Sequence, residues 1–317
     1  MRTRRLGSRG PELSVIGFGA WEAGGDMWGP NPSEDQVIEA IRAGLDAGIG
    51  WIDTAEVYGS GTSEELVGRA IQGRRDQVLI ATKVAPRMSG TGFRRDQVRR
   101  ACGRSLKRLG IGHIDLYQLH WRDNSVPVEE TWGAMSELVD EGLVRLIGVS
   151  NFDQELIERC EAIRPVDSLQ PHVSMLHLEH RDLIRWCGGR GIGVVCYGPL
   201  AYGLLTGAVG VDTKFHPEDW RSGHGGGEYY EEMFARGKIE RSLAVVEALR
   251  PIAERLEVTL AQLALAWVVH QPGVTAAIAG SRNHDHVRQN AGAGDVELDG
   301  ATLDEIEEIL PLGPTFA

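Results

Sequence analysis

Short apolar runs rich in β-branched residues alternate along the chain with longer segments in which apolar residues recur every three or four positions. The first pattern belongs to strands buried on both faces and the second to amphipathic helices, so their alternation predicts a parallel sheet covered by helices. Strands are predicted near 15–20, 50–54, 78–84, 114–120, 144–149, 167–171, 193–197 and 274–279. Helices are predicted near 34–48, 63–72, 94–109, 128–141, 153–163, 180–190, 259–270 and 284–292. Eight strand–helix units in 317 residues predict an α/β fold of the closed (β/α)₈ TIM-barrel type, as one domain over 1–317, with an open doubly wound sheet the weaker option.

Local signals mark several boundaries. Ser33-x-x-Gln36 and Thr62-x-x-Glu65 read as capping boxes, Thr302-x-x-Glu305 as the start of the last helix, and glycines 48, 110, 142 and 191 as helix stops. Residues 2–16, with a turn at Gly7 to Gly10, predict an N-terminal hairpin that plugs the barrel's lower mouth. Residues 200–237 form a long insertion in which Gly223, Gly225, Gly226 and Gly227 stand among Trp220, His224, Tyr229 and Tyr230, a composition that favours a mobile lid. Two extra helices are predicted at 239–256 and 302–310.

A hydrophobic content of 42 % supports a large core, and a net charge of −12 argues against nucleic acid or an anionic membrane as the main partner. Cys102, Cys160, Cys187 and Cys196 are scattered without a Cys-x-x-Cys pair and read as reduced core or helix-face residues. The opening Met-Arg-Thr-Arg-Arg-Leu-Gly lacks the apolar region of a signal peptide, and no apolar run of about 18 residues occurs, so a cytoplasmic location is expected. His172, His177 and His180 are close in sequence but follow no familiar metal-ligand spacing, and no metal is expected.

Three strands end in residues able to do chemistry. Trp51-Ile52-Asp53, Val78 to Lys83 and Ile114 to His120 bring a carboxylate, an ammonium and an imidazole to the C-terminal end of the sheet, where barrel active sites lie, and Tyr58 follows Asp53 by five residues. A phenol with a pKa of roughly 10 is a poor acid at neutral pH, but an adjacent ammonium stabilises its phenolate. Lys83 supplies that charge, Asp53 keeps Lys83 protonated, and His120 orients a substrate oxygen or shares the proton. The four together predict an acid built to protonate an oxyanion. The chain has no Gly-x-Gly-x-x-Gly after a strand and no Gly-x-x-x-x-Gly-Lys-Ser/Thr, so any nucleotide must be held by barrel loops.

Trp51-Ile-Asp53-Thr-Ala-Glu-Val-Tyr58-Gly, Ile80-Ala-Thr-Lys83-Val and Asp115-Leu-Tyr-Gln-Leu-His120-Trp-x-Asp123 resemble the three signature blocks of the aldo-keto reductases. The similarity runs from Arg5 and Gly17-Phe-Gly-Ala-Trp21 to Asn290-Ala-Gly-Ala, nearly the whole chain. The resemblance implies NAD(P)H-dependent reduction of an aldehyde or ketone, hydride reaching the carbonyl carbon while Tyr58 protonates the oxygen. It also implies cofactor contacts from Ala20, Trp21 and Asp53, from Ser150, Asn151 and Gln170 to the carboxamide, and from Tyr197 stacked on the nicotinamide. Gly198 stands where the family carries a serine, with backbone donors at Leu200 and Gly203 expected to compensate.

For the adenosine end the resemblance implies Gly280, Ser281, Arg282, His286, Gln289 and Asn290, with Ser281 and Arg282 on a 2′-phosphate. His286 and Gln289 depart from the family's usual Gln and Glu, so NADP(H) is favoured and NAD(H) stays open. Trp21, Tyr58, His120 and Trp121 are the expected substrate contacts, with Trp28 also near the rim, for a small-molecule carbonyl compound. An alternative reading is a cofactor-sensing regulatory subunit resembling the β-subunits of potassium channels. A Schiff base at Lys83 ranks last, because Asp53 would keep the amine protonated.

Overall fold

The computed structural model describes residues 1–85, 93–223 and 232–313. Thr3–Arg5 (β1) and Glu12–Ser14 (β2) pair antiparallel as a hairpin. Eight parallel strands follow: Ile16–Gly19 (β3), Trp51–Asp53 (β4), Leu79–Val84 (β5), Ile114–Leu119 (β6), Val144–Ser150 (β7), Ser168–Gln170 (β8), Gly193–Cys196 (β9) and Ala276–Ala279 (β10). They close in sequence order, β10 pairing with β3, as the alternating pattern predicts.

The helices after successive strands are Glu34–Asp46 (α1), Thr62–Ala70 (α2), Arg95–Leu109 (α3), Val128–Asp140 (α4), Gln154–Glu161 (α5) and Arg181–Gly189 (α6). Lys238–Arg255 (α7), Leu260–His270 (α8), His284–Gly292 (α9) and Gly300–Ile309 (α10) complete the set. Among the described residues no helix is long and apolar enough to cross a membrane. Ser33 and Gln36 form the expected capping box, but two other helix starts differ from expectation. Thr62 caps nothing: the chain leaves a left-handed turn at Gly59, Ser60 and Gly61 (φ 59°, 54° and 106°), and the Thr62 hydroxyl donates back to the Gly59 carbonyl. The final helix starts at Gly300 because Asp299 accepts from the Thr302 amide at 2.8 Å, which leaves Thr302 inside the first turn.

The apolar core has two layers. The larger lies between sheet and helices, and the smaller fills the barrel with Trp51, Ala81, Leu116, Val195, Ala276 and Ile278, joined by Leu6 and Leu13 of the hairpin. The hairpin thus plugs the N-terminal mouth. Trp51 fits because Gly17 has no side chain: a Cβ there would stand 2.2 Å from the indole, whose Nε1 donates to the Ser14 carbonyl at 2.9 Å. All four cysteines are free and buried, and burial pushes the thiols of Cys102, Cys160 and Cys187 up to about 12, which keeps them inert.

Over its described part the insertion after β9 packs against the loop that follows β3. The chain turns through Ala201–Thr206 and Trp220–Ser222, and the Trp220 amide donates to the Met27 carbonyl at 2.8 Å while Trp28 and Asp219 pair as an antiparallel bridge. Trp220 is 1 % exposed. The segment is held because its aromatics pack: Trp21, Trp28, Tyr202 and Trp220 have ring centroids 4.9–6.4 Å apart, and the Arg221 guanidinium lies over Trp28. His224, Gly225, Gly226, Gly227, Tyr229 and Tyr230 lie outside the described residues.

Candidate active site

β4 and β5 are adjacent and in register, Asp53 opposite Ala81, so Asp53 and Lys83 reach the same end of the barrel. Lys83 Nζ donates to Asp53 Oδ1 at 2.5 Å, to the Thr54 carbonyl at 3.0 Å and to the Tyr58 hydroxyl at 3.3 Å. The Lys83 side chain is 0 % exposed. Burial alone works to lower its pKa, but the Asp53 charge, then Tyr58, outweigh burial and the net direction is up. The amine is therefore an ammonium at neutral pH, as expected of a charge placed beside a phenol.

Tyr58 is held by a close meeting of two loops. A Cβ on Gly59 would lie 2.1 Å from the Gly24 carbonyl oxygen, and one on Gly24 would lie 2.6 Å from the Gly59 amide. Only glycines allow this approach, which fixes the turn that carries the phenol beyond β4. His120 is one residue past the end of β6, its ring 5.7 Å from Tyr58 in an edge-on arrangement and stacked on Trp121 at 3.7 Å. Burial, then the Lys83 charge, push the His120 pKa well below its usual value, so the imidazole is neutral. Its Nδ1 is buried with no hydrogen-bond partner among the described residues. The four expected residues therefore converge, with the phenol between an ammonium and a neutral imidazole.

Asp53 is held from behind by two amides. Gln170 Nε2 and Gln118 Nε2 both donate to Asp53 Oδ2, at 2.8 and 3.4 Å, so with Lys83 on Oδ1 the carboxylate accepts bonds on both oxygens. Gln118, fully buried on β6, is missing from the sequence expectation. Its signal was available: a glutamine two residues before His120 in an apolar strand faces the same barrel interior as His120.

The residues expected around the carboxamide also gather. The Ser150 hydroxyl donates to the Gln170 carbonyl at 2.9 Å, Asn151 Nδ2 donates to the His120 carbonyl at 3.1 Å, and the Tyr197 hydroxyl donates to Asn151 Oδ1 at 2.9 Å. Asn151 adopts φ 58°, a conformation asparagine tolerates better than most residues. Gly198, at φ 67°, passes so close to His172 that a Cβ would lie 2.6 Å from the ring. A serine there would be strained and would clash, which accounts for the departure from the family's residue. Leu200 and Gly203 lie in the next turn, where the Gly203 amide donates to the Leu200 carbonyl and is thus already used.

Where the resemblance implies an adenosine site, Gly280 lies against Gly19, and a Cβ there would stand 2.2 Å from the Gly19 carbonyl oxygen. Ala20 is next along and buried. Ser281 Oγ accepts from the Asn283 amide, Asn290 is buried, and His286 and Gln289 are exposed at the surface of α9. Arg282 donates to the carbonyls of Trp28 at 2.7 Å and Pro30 at 3.2 Å and stands 3.9 Å from Glu22. Its fork is thus turned onto the 22–30 loop, a position from which one guanidinium reaches across the upper rim. Trp21 lies 6.2 Å from Tyr58, whereas Trp28 is buried in the aromatic cluster and Trp121 is 44 % exposed. Of the three tryptophans expected to line a wall, Trp21 is the one packed against the phenol.

Residues 15–311 match the model of the aldo/keto reductase family. Aldo-keto reductase YhdN of Bacillus subtilis (strain 168) is 36 % identical, the match covering 100 % of this chain and 97 % of that protein. Among solved structures, the glycerol dehydrogenase AKR11B4 from Gluconobacter oxydans superposes with a TM-score of 0.86 at 30 % identity, covering 97 % of this chain and 94 % of that one. An aldo/keto reductase from Klebsiella pneumoniae in complex with NADP and acetate gives a TM-score of 0.75 at 32 % identity, covering 99 % and 97 %.

Proposed function

This chain belongs to the aldo/keto reductase family and is an NAD(P)H-dependent oxidoreductase of carbonyl compounds, and on that footing we propose that it reduces aldehydes and ketones with NADPH, Tyr58 giving the proton. The observation that carries this reading is the 3.3 Å contact between a fully buried Lys83 ammonium and the Tyr58 hydroxyl. As the phenol proton leaves, negative charge develops on Oη, and the buried ammonium stabilises it. Asp53 keeps the ammonium charged, and the two glutamines keep Asp53 in place. The neutral His120 offers a donor to the carbonyl oxygen without adding a second positive charge beside Lys83.

The chain's residues fit a nicotinamide nucleotide. Ser150, Asn151 and Gln170 place amide and hydroxyl groups at the ends of β7 and β8, which suits a carboxamide. These three would hold the carboxamide, Tyr197 would face the ring, and Ala20, Trp21, Gly198, Leu200, Gly203, Gly280, Ser281, Arg282, His286, Gln289 and Asn290 would line the rest. When bound, the cofactor supplies hydride to the carbonyl carbon. Arg282 favours the phosphorylated form, since a guanidinium fork suits a phosphate, and the Klebsiella pneumoniae relative binds NADP. Trp21, Tyr58, His120 and the exposed Trp121 are the proposed walls for the substrate.

The experiment is a turnover assay with NADPH and a panel of aldehydes and ketones, following the absorbance of the reduced cofactor, for the natural protein and Tyr58→Phe. A loss of about 10²–10⁴-fold in kcat is expected on removing the general acid. Absence of turnover by the natural protein across the panel, or undiminished turnover by Tyr58→Phe, overturns the reading.

A further inference from the structure

One cluster lies outside the reducing site. The segment between β8 and α6 turns back on itself: Ser174 and His177 exchange backbone hydrogen bonds of 3.2 and 3.0 Å, and the Leu176 amide donates to Ser174 Oγ. The turn brings one ring nitrogen each of His177 and His180 and a Glu179 carboxylate oxygen within 4.8 Å of one another. His177 Nε2 stands 3.7 Å from Glu179 Oε2, and the two imidazole centroids are 5.5 Å apart. Zinc binds nitrogen and oxygen ligands at about 2.0–2.2 Å, which for a tetrahedron sets ligand separations of roughly 3.3–3.5 Å. The three groups stand within about an ångström and a half of that spacing, so binding needs rotation of Glu179 and of the half-buried His180 ring.

One of these groups is already held: the His177 ring is stacked on His172 at 4.3 Å and its side chain is 6 % exposed. Glu179 is 66 % exposed. The linear spacing points to no metal because it lacks a known signature. The turn, not the spacing, brings the three groups together.

We propose that His177, Glu179 and His180 bind one divalent transition-metal ion of the zinc class, with water completing the coordination. Two histidines and a glutamate are a zinc ligand set, and their mixture of imidazole and carboxylate disfavours magnesium and calcium. The site stands at one end of a stack of rings, His177 on His172 and His172 on Tyr197 at 5.0 Å.

The test uses the full chain, stripped of metal by chelator and dialysis, titrated with Zn²⁺ against a chromogenic chelator and with Co²⁺ for its visible absorption. The expected result is one equivalent bound per chain with the intense visible bands of low-coordinate Co²⁺. Glu179→Gln and His180→Asn should each weaken Zn²⁺ binding by at least the roughly 10–100-fold that loss of an outer-shell partner costs. Both variants should keep their carbonyl-reducing turnover, which shows that they fold. Equal Zn²⁺ affinity in the natural protein and the Glu179→Gln/His180→Asn double variant overturns the proposal, because the ion is then held elsewhere. Failure to bind Zn²⁺ below millimolar concentration overturns it as well.

Discussion

Asp53→Asn isolates the part of the site on which the proposed chemistry depends. Lys83 is fully buried, and Asp53 is the only carboxylate forming an ion pair with it among the described residues. At 2.5 Å, two unit charges attract by roughly 7 kcal/mol at an effective dielectric of about 20, against a desolvation cost of several kcal/mol per ion. The pair is therefore near balance while intact, but removing one partner leaves a buried charge alone, which costs about 3–5 kcal/mol. Urea unfolding at pH 7 should show a loss of that size for Asp53→Asn. The double variant Asp53→Asn/Lys83→Met, which buries no charge, should recover most of it.

The pH dependence follows from the direction of the Lys83 shift. In the natural protein the raised pKa of Lys83 gives a stabilisation fully present below the unfolded value of about 10.4 and lost only as pH rises through the folded value above it. In Asp53→Asn burial dominates and the folded pKa falls below 10.4. The deficit is then complete at low pH and fades as pH rises from that lowered value towards 10.4. Both single and double variants should be nearly inactive, since neither keeps a stabilised ammonium beside Tyr58. A loss under about 1 kcal/mol for Asp53→Asn, or no recovery in the double variant, refutes the reasoning.

Gln170→Leu should lower stability by about 1.5–3 kcal/mol, because it removes the 2.8 Å bond to a buried carboxylate, and should weaken NADPH binding measured by fluorescence titration. Arg282→Leu should reduce the preference for NADPH over NADH in kcat/KM by roughly 10–100-fold, mainly by harming NADPH, as loss of a charge-assisted contact to phosphate requires. Gly17→Ala should cost about 1–3 kcal/mol or more by thermal unfolding, since its Cβ would stand 2.2 Å from the Trp51 indole. His120, His172 and His177 are all pushed to lower pKa by burial, so each contributes stability present above the unfolded value of about 6.5 and lost as pH falls below it. Glu22 and Glu56, raised by burial, act in the opposite sense, and the three histidines should prevail between pH 6.5 and 5 as a falling urea midpoint.

Strand ends were legible because their physics is local. Asp53, Lys83 and His120 each close an apolar run of a strand or follow it directly, and the parallel alternation brings all such ends to one side of the sheet. Gln118 lies on the strand that His120 follows and Gln170 ends β8, yet a polar residue inside an apolar run looks alike whether it binds a ligand or braces a carboxylate. Strand alternation places Gln118 on the face of His120, but only the register shows that it braces Asp53. Loops were legible only where glycine forces the backbone, as at the helix stops Gly48, Gly110, Gly142 and Gly191, which take φ of 65–91°.

The 200–237 insertion resisted reading because its composition and its packing point in opposite directions. Glycine clusters favour mobility, whereas Tyr202 and Trp220 can bury large area if a partner is near, and nothing in the linear order reveals that Trp21 and Trp28 are that partner. Arg282 repeats the problem on the polar side. From sequence it is a charge at a helix start suited to phosphate, whereas in the fold its donors already hold the Trp28 and Pro30 carbonyls. If it also takes a phosphate, those carbonyls must release it, so phosphate recognition and the position of the 22–30 loop, which abuts the Tyr58 turn through Gly24 and Gly59, are coupled through one side chain.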